Sequence, residues 1–513
     1  MFKPLIRAAA PFLLCIAAPL AAQPAAAPAP SSITPADLLR HIRILASDEF
    51  EGRAPGTEGE RRTTAYIVAQ FQARGLEPAG ENGTWFQALR LASRRPESAT
   101  LSWTGPAAGR LGADDIVLTG REAHETVSNA PLIFAAHGAR MPDRGIDQLA
   151  GADVQGAVVM ILFQGPQVEG FPSIAERVRA VSAAGAAGVI VVVGDDIPWA
   201  EVTRSIRRGA VRPDDGTTPK LFGLVPMRAA QRLVAGAGGN MERLLNEQPG
   251  SSFRPVTLPG RVTIDATTLV NRIETNNVIG RLRGTGTTGE NLLLLAHWDH
   301  LGLCRPEGAP DRICNGAVDN ASGVAALIEI AGQLGRGERP ARDVLFMATT
   351  AEEVGLVGAT WFADHPTVPL NSILAAINMD TIAIAPAGTP VAVMRSGVPA
   401  LDAMVNATIV AMGRTADPDD EAASLVQRQD GWALTRHGVP TLMVGGSFSN
   451  MEVLERFLGE GGRYHAPNDQ ADGQIVLDGA AEDTNLSVAL VRRLADPTQY
   501  QRSQPVPAQR PAQ

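Results

Sequence analysis

Leu292-Leu293-Leu294-Leu295-Ala296-His297-Trp298-Asp299-His300 is the stretch that decides the fold, a short apolar run that ends in imidazole and carboxylate groups. Five consecutive apolar residues bounded by polar ones predict a buried strand. Working outward, residues 324–334 have apolar groups at helical spacing. Residues 344–350 form a second apolar run ending in Glu352 and Glu353, and 373–379 a third ending in Asp380. Strands alternating with a helix predict an α/β fold. Open sheets of this kind place their sites beyond the strand C-termini, where these polar residues fall.

Each polar group has a bland reading when taken alone. A histidine beside a strand end is more often hydrogen-bonded structure than a ligand. In Asn315-Gly316-Ala317-Val318-Asp319-Asn320-Ala321-Ser322-Gly323 the carboxylate stands in a turn before an apolar helix, where it reads as an N-cap. Adjacent Glu352 and Glu353 are harder to explain, because two carboxylates in apolar surroundings are costly unless cations neutralise them. The combination points to metal. Hard carboxylates with borderline imidazoles suit zinc, and a bridging carboxylate with one histidine and one acid per ion makes two open sites. The remaining histidine is supplied by Arg463-Tyr464-His465-Ala466-Pro467-Asn468-Asp469.

Five segments in order resemble the metallopeptidase family numbered twenty-eight, which includes bacterial aminopeptidases and glutamate carboxypeptidase. They are the His-x-Asp-His-Leu-Gly stretch at 297–302, Gly-Ala-x-Asp-Asn-Ala-Ser-Gly at 316–323, Ala-Glu-Glu-x-Gly-Leu-x-Gly at 351–358, Asn-Met-Asp at 378–380 and Tyr-His at 464–465. The opening stretch from Leu45 to Arg53, with Pro55, Gly56 and Thr57, is similar to the N-terminal signature of exported bacterial members. The resemblance implies a zinc-peptidase (phosphorylase/hydrolase-like) fold, with a mixed central β-sheet flanked by helices, binding two Zn²⁺. Asp319 would bridge them, His297 and Asp380 would complete one site, and Glu353 and His465 the other. Glu352 would be the general base acting on a water between the metals, and then the acid toward the leaving amine. Asp299 would support the chemistry by accepting from the His297 imidazole. Where the family often shows a Ser-Asp pair before a helix, this chain has Gln429, Asp430, Gly431 and Trp432.

The implied activity is an aminopeptidase acting on peptides. A carboxypeptidase or a glutaminyl cyclase on the same fold, or a non-catalytic peptide-binding protein, are the alternatives. Residues 33–114 and 263–495 are expected to form the peptidase domain. Residues 115–262 have apolar runs at 131–136, 157–163 and 189–193 with a helix at 174–184, and are expected to be a β-rich protease-associated insert. His124 and His137 lie there without acidic partners at ligand-like spacing and are expected to be turn or core residues.

The two ends of the chain differ from its middle. Lys3 and Arg7 precede an Ala-rich apolar run to Ala22, the order of a signal peptide, broken by Pro11 and Pro19 and shorter than the roughly 20 residues of a membrane span. Residues 1–22 are therefore expected to be removed, 23–32 to form a linker, and the protein to be periplasmic or secreted without stable membrane association. Residues 496–513, rich in Gln and Pro, are expected to be a disordered tail. Inside these ends, Thr34, Pro35 and Asp37 mark a helix start. Loss of Cys15 with the signal leaves Cys304 and Cys314, an even pair expected to form a disulfide. A formal net charge of -9 gives no basic face for nucleic acid.

Overall fold

The computed structural model describes residues 32–166, 171–247, 253–394, 396–419 and 421–502. The expectations for 1–31 and for 503–513 fall outside these residues.

The strand Asn291–His297 is apolar on both faces because layers cover it from both sides. Leu292, Leu294 and Ala296 enter a core shared with helices Pro35–Leu45, Ser322–Gly335 and Leu477–Leu494. Leu293 and Leu295 enter the opposite core, with Phe362 of Val357–Asp364 and Leu434 of Gly431–Thr435. Successive side chains alternate between faces, so a doubly covered strand needs a continuous apolar run. Each leucine so buried contributes roughly 1.5 to 3 kcal/mol. The helix Ser322–Gly335 is buried on every side from Ser322 to Leu334, which explains why its sequence carries so little polar face.

Parallel pairing joins Thr441–Gly445, Ile373–Asn378, Asn291–His297 and Asp343–Thr349 in that order. Ala392–Met394 and Val256–Leu282 flank them antiparallel, which makes the sheet mixed. His297 lies opposite Thr349 and Leu295 opposite Asn378. The residues that follow each strand therefore emerge at one edge of the sheet, and the site lies there.

The strand Val256–Leu282 runs for 27 residues and pairs along much of its length with Phe86–Trp103. It carries the sheet onward through His124–Phe134 to the parallel strands Val158–Leu162, Gly188–Val193 and Leu221–Pro226. These again alternate between two cores: Val158 and Met160 enter one, Val159 and Ile161 the other. Helices Ile174–Ala183, Trp199–Arg208, Met227–Gly236 and Met241–Asn246 join the strands in this part of the chain. His124 is exposed, and His137 is half-buried with Nδ1 2.8 Å from the Gln164 carbonyl.

The helix at Pro35 starts as its sequence predicts, with Thr34 and Asp37 forming a reciprocal capping box. The tail departs from expectation. Tyr500 is 4% exposed and belongs to the main core, and Arg502 donates to the carbonyls of Asn371 and Ile373. One aromatic side chain holds 496–502 against the domain, outweighing the surrounding Gln and Pro. Cys304 and Cys314 are joined as expected. Their hairpin packs on Gly52, whose φ is +64°; a Cβ there would lie 2.4 Å from the Cys314 carbonyl oxygen, so only glycine fits. None of the described helices is long and apolar enough to cross a membrane.

Candidate metal centre

The three strand ends and two loops bring all five expected ligands together. Asp319 lies between two imidazoles: its Oδ1 is 3.3 Å from Nε2 of His297, and its Oδ2 is 3.4 Å from Nε2 of His465. On the first side Asp380 Oδ1 is 3.5 Å from the same His297 nitrogen. On the second, Glu353 Oε2 is 2.8 Å from the same His465 nitrogen. Ligand atoms of His297, Asp319 and Glu353 lie within 4.8 Å of one another, as do those of His297, Glu352 and Asp380. Glu352 therefore also faces the His297 side, and it lines the adjoining cleft.

A buried frame holds these groups. Arg53 is 1% exposed and donates to the carbonyls of Leu45, Trp298, Asn315 and Gly316, tying the opening segment to the loops that carry His297 and Asp319. Burial lowers its pKa to about 10, against the pull of Asp319 and Asp469. The carboxylate of Asp469 accepts from the amides of Val318 and Asp319 at 3.0 to 3.1 Å, fixing the Asp319 loop to the His465 loop. Gly316, at φ +55°, lets that loop close. A Cβ would stand 2.1 Å from the Asp319 carbonyl oxygen. Tyr464 stacks on the His465 ring at 3.7 Å. His300, to which the sequence reading gave no role, places Nδ1 2.5 Å from Glu353 Oε1 and so orients that carboxylate. The one signal for it was its position in the motif at 297–302.

The expected contact of Asp299 is corrected. Nδ1 of His297 lies 3.1 Å from the backbone carbonyl of Asp299, while the carboxylate is 3.8 Å away. The carboxylate accepts instead from the amides of Glu352 and Glu353, at 3.1 and 3.4 Å. Two converging N–H groups hold it against that loop, so Asp299 orients His297 through its main chain and the two glutamates through its side chain. Burial raises its pKa to about 7. Asp430 is buried beside the site and accepts from Thr349, with Oδ1 left without a partner; burial raises its pKa to about 6.

The charge balance fits cations. Asp319, Glu352, Glu353 and Asp380 converge, with the buried cation Arg53 set behind the ligand loops. Burial opposes charging of His297, yet Glu352 and Asp380, with contacts to Asp319 and Asp380, raise its pKa well above the usual imidazole range. Burial likewise opposes charging of His465, whose pKa contact with Asp319 and Glu353 nevertheless carries to about 9. Burial holds Glu352 well above the carboxylate range; His297 opposes this, and the carboxylates of Asp430, Asp380 and Glu353 add to it. Nε2 of His465 is buried and makes no aligned hydrogen bond to either neighbouring carboxylate. An imidazole nitrogen aimed between carboxylates without a hydrogen bond suits a metal ion. The adjoining cleft is lined by Met394, Leu425, Met443, Phe448 and Leu454, with exposed Arg428 at its rim.

An α/β sheet whose strand ends gather two imidazoles and a set of carboxylates about a shared aspartate offers a candidate site for metal ions. The chain matches the model of Peptidase family M28 over residues 277–489. It is 29% identical over 211 residues to a probable lipoprotein aminopeptidase, LpqL, of Mycobacterium tuberculosis, covering 38% of each chain. It is 25% identical over 366 residues to a probable glutamate carboxypeptidase, AMP1, of Arabidopsis thaliana, covering 63% of this chain and 48% of that one. The chain spans less than half the length of the curated relatives it matches. Among solved structures, an aminopeptidase from Aneurinibacillus sp. strain AM-1 aligns over 90% of this chain and 94% of its own, at 17% identity and a TM-score of 0.48.

Proposed function

We infer that the chain is an exported two-zinc exopeptidase that removes N-terminal residues from peptides. The observation that carries the reading is the placement of Asp319, one oxygen toward His297 and Asp380, the other toward His465 and Glu353. That is the arrangement two ions sharing a carboxylate require. Zinc bound there would lower the pKa of a water and polarise a peptide carbonyl. Glu352, beside the ligands and facing the cleft, takes the proton from the attacking water and passes it to the leaving amine nitrogen. His300, Asp299 and Asp469 hold the ligands in place, and Arg53 fixes the loops behind them. In the same reading 33–114 and 263–495 form the catalytic unit, and 115–262 is a protease-associated insert that shapes access. The signal-like start sends the mature chain to the periplasm or beyond.

Similarity to the Mycobacterium aminopeptidase supports N-terminal cleavage. The longer match to the Arabidopsis protein, together with Arg428 as a cation at the cleft rim, favours a second reading in which a free α-carboxylate is bound. A zinc-loaded preparation given peptides with free or acetylated N-termini and free or amidated C-termini separates the two. The expected result is turnover that acetylation abolishes and amidation spares. Release of the C-terminal residue from acetylated peptides would assign a carboxypeptidase, cyclisation of N-terminal glutamine a cyclase, and no turnover with both metals bound a peptide-binding protein.

A further inference from the structure

A cavity of about 450 Å³ lies between helices Ile174–Ala183 and Trp199–Arg208, the strand Ala210–Pro213 and the sheet beneath, with Arg94 of the strand Phe86–Trp103 in its wall. It shares no lining residue with the cleft at the metal centre. Phe163, Val202, Ile206 and Phe222 face it and are only half-buried, so apolar surface is left open there. Such a lining takes an apolar ligand, and its few polar groups choose the head group.

The charged groups are mainly cationic: Arg94, Arg179 and Arg212 all line the cavity. Arg94 is 6% exposed. Its Nε donates to the Arg121 carbonyl and its Nη2 pairs with Asp214, but Nη1 is buried without a hydrogen-bond partner among the described residues. A buried donor left unpaired is costly, and more so on a charged group. Arg212 donates to the Val211 carbonyl and forms no ion pair among the described residues. The one carboxylate in the lining, Asp215, accepts from the amide and hydroxyl of Thr217. With Asp214 already answering part of Arg94, a monoanion matches the balance better than a dianion. A carboxylate is the planar monoanion that a guanidinium edge binds best.

We propose that this cavity is a binding site for an apolar carboxylate, with the head group against Arg94 and Arg212 and the body against Val202, Ile206 and Phe222. A hydrophobic peptide C-terminus and a medium-chain fatty acid both have this chemistry. The site is independent of the catalytic reading, because none of its residues reaches the metal centre.

Calorimetric titration of the full zinc-loaded chain with dodecanoate, with N-acetyl-Leu-Phe, and with the primary amide of each tests it. At least one carboxylate should bind, and its amide at least tenfold more weakly. Ile206→Trp, which fills the cavity, and Arg212→Ala, which removes a cation the fold does not use for an ion pair, should each weaken binding at least tenfold. Zinc content and circular dichroism should stay unchanged. Binding of the peptide alone assigns a peptide C-terminus, of dodecanoate alone a fatty acid, and of both the shared chemistry. No binding of either carboxylate, equal binding of acid and amide, or binding untouched by both variants overturns the proposal.

Discussion

Glu352 and Glu353 are neighbours in sequence and differ in what they face. Glu353 has one oxygen on His300 and the other toward His465, whereas Glu352 faces the His297 side and the open cleft. Glu352→Gln should therefore keep both zincs and lose about 10² to 10⁴ in turnover, since the amide cannot accept the proton. Glu353→Gln should lose metal. Metal analysis beside kinetics on the two variants checks this, and loss of zinc from the first but not the second would exchange their roles. The ligand candidates were legible because each sits in a short motif at a strand end. The roles of Arg53, His300 and Asp469 were not, because they are hydrogen bonds across long sequence separations: Arg53 reaches Asn315, 262 residues away. No local pattern encodes such a contact. The same limit applies to Asp299, whose residue type predicted an acceptor for His297 but not that the main chain would take the part.

Elements were legible where burial or a cap dictates the local pattern. The fully buried parallel strands read as apolar runs, and the Thr34 cap fixed the start of its helix. The long pair Phe86–Trp103 and Val256–Leu282 was not legible as continuous strands. Much of it is exposed and interrupted by Arg90, Arg94, Arg95 and Pro96, and it is held by cross-strand pairing instead. Residues 496–502 escaped for the opposite reason, since composition outvoted a single aromatic anchor. Tyr500→Ala should lower stability by roughly 2 to 4 kcal/mol through the cavity left in the main core. Gln501→Ala on the exposed neighbour should stay within about 0.5 kcal/mol. Denaturant titration of both reads the difference, and equal midpoints would mean that the tail does not brace the domain.

At the scale of the whole molecule, a single sheet spans two regions with separate cores and carries the metal centre at one edge of the first. In the proposed reading the cost of gathering four carboxylates there would be offset by cations, which would link folding to metal binding. Stripping metal with a chelator should lower the melting temperature, and zinc at a hundredfold excess over its dissociation constant should restore about 2.7 kcal/mol per site. A melting curve indifferent to chelation would contradict that linkage. In the proposed reading Asp319 joins two ions. Anomalous diffraction from zinc-loaded crystals, collected on both sides of the zinc edge, tests this. Two anomalous peaks should flank the Asp319 carboxylate, one contacted by His297 and Asp380 and the other by His465 and Glu353. A single peak, or two peaks that share Glu352 rather than Asp319, would contradict it.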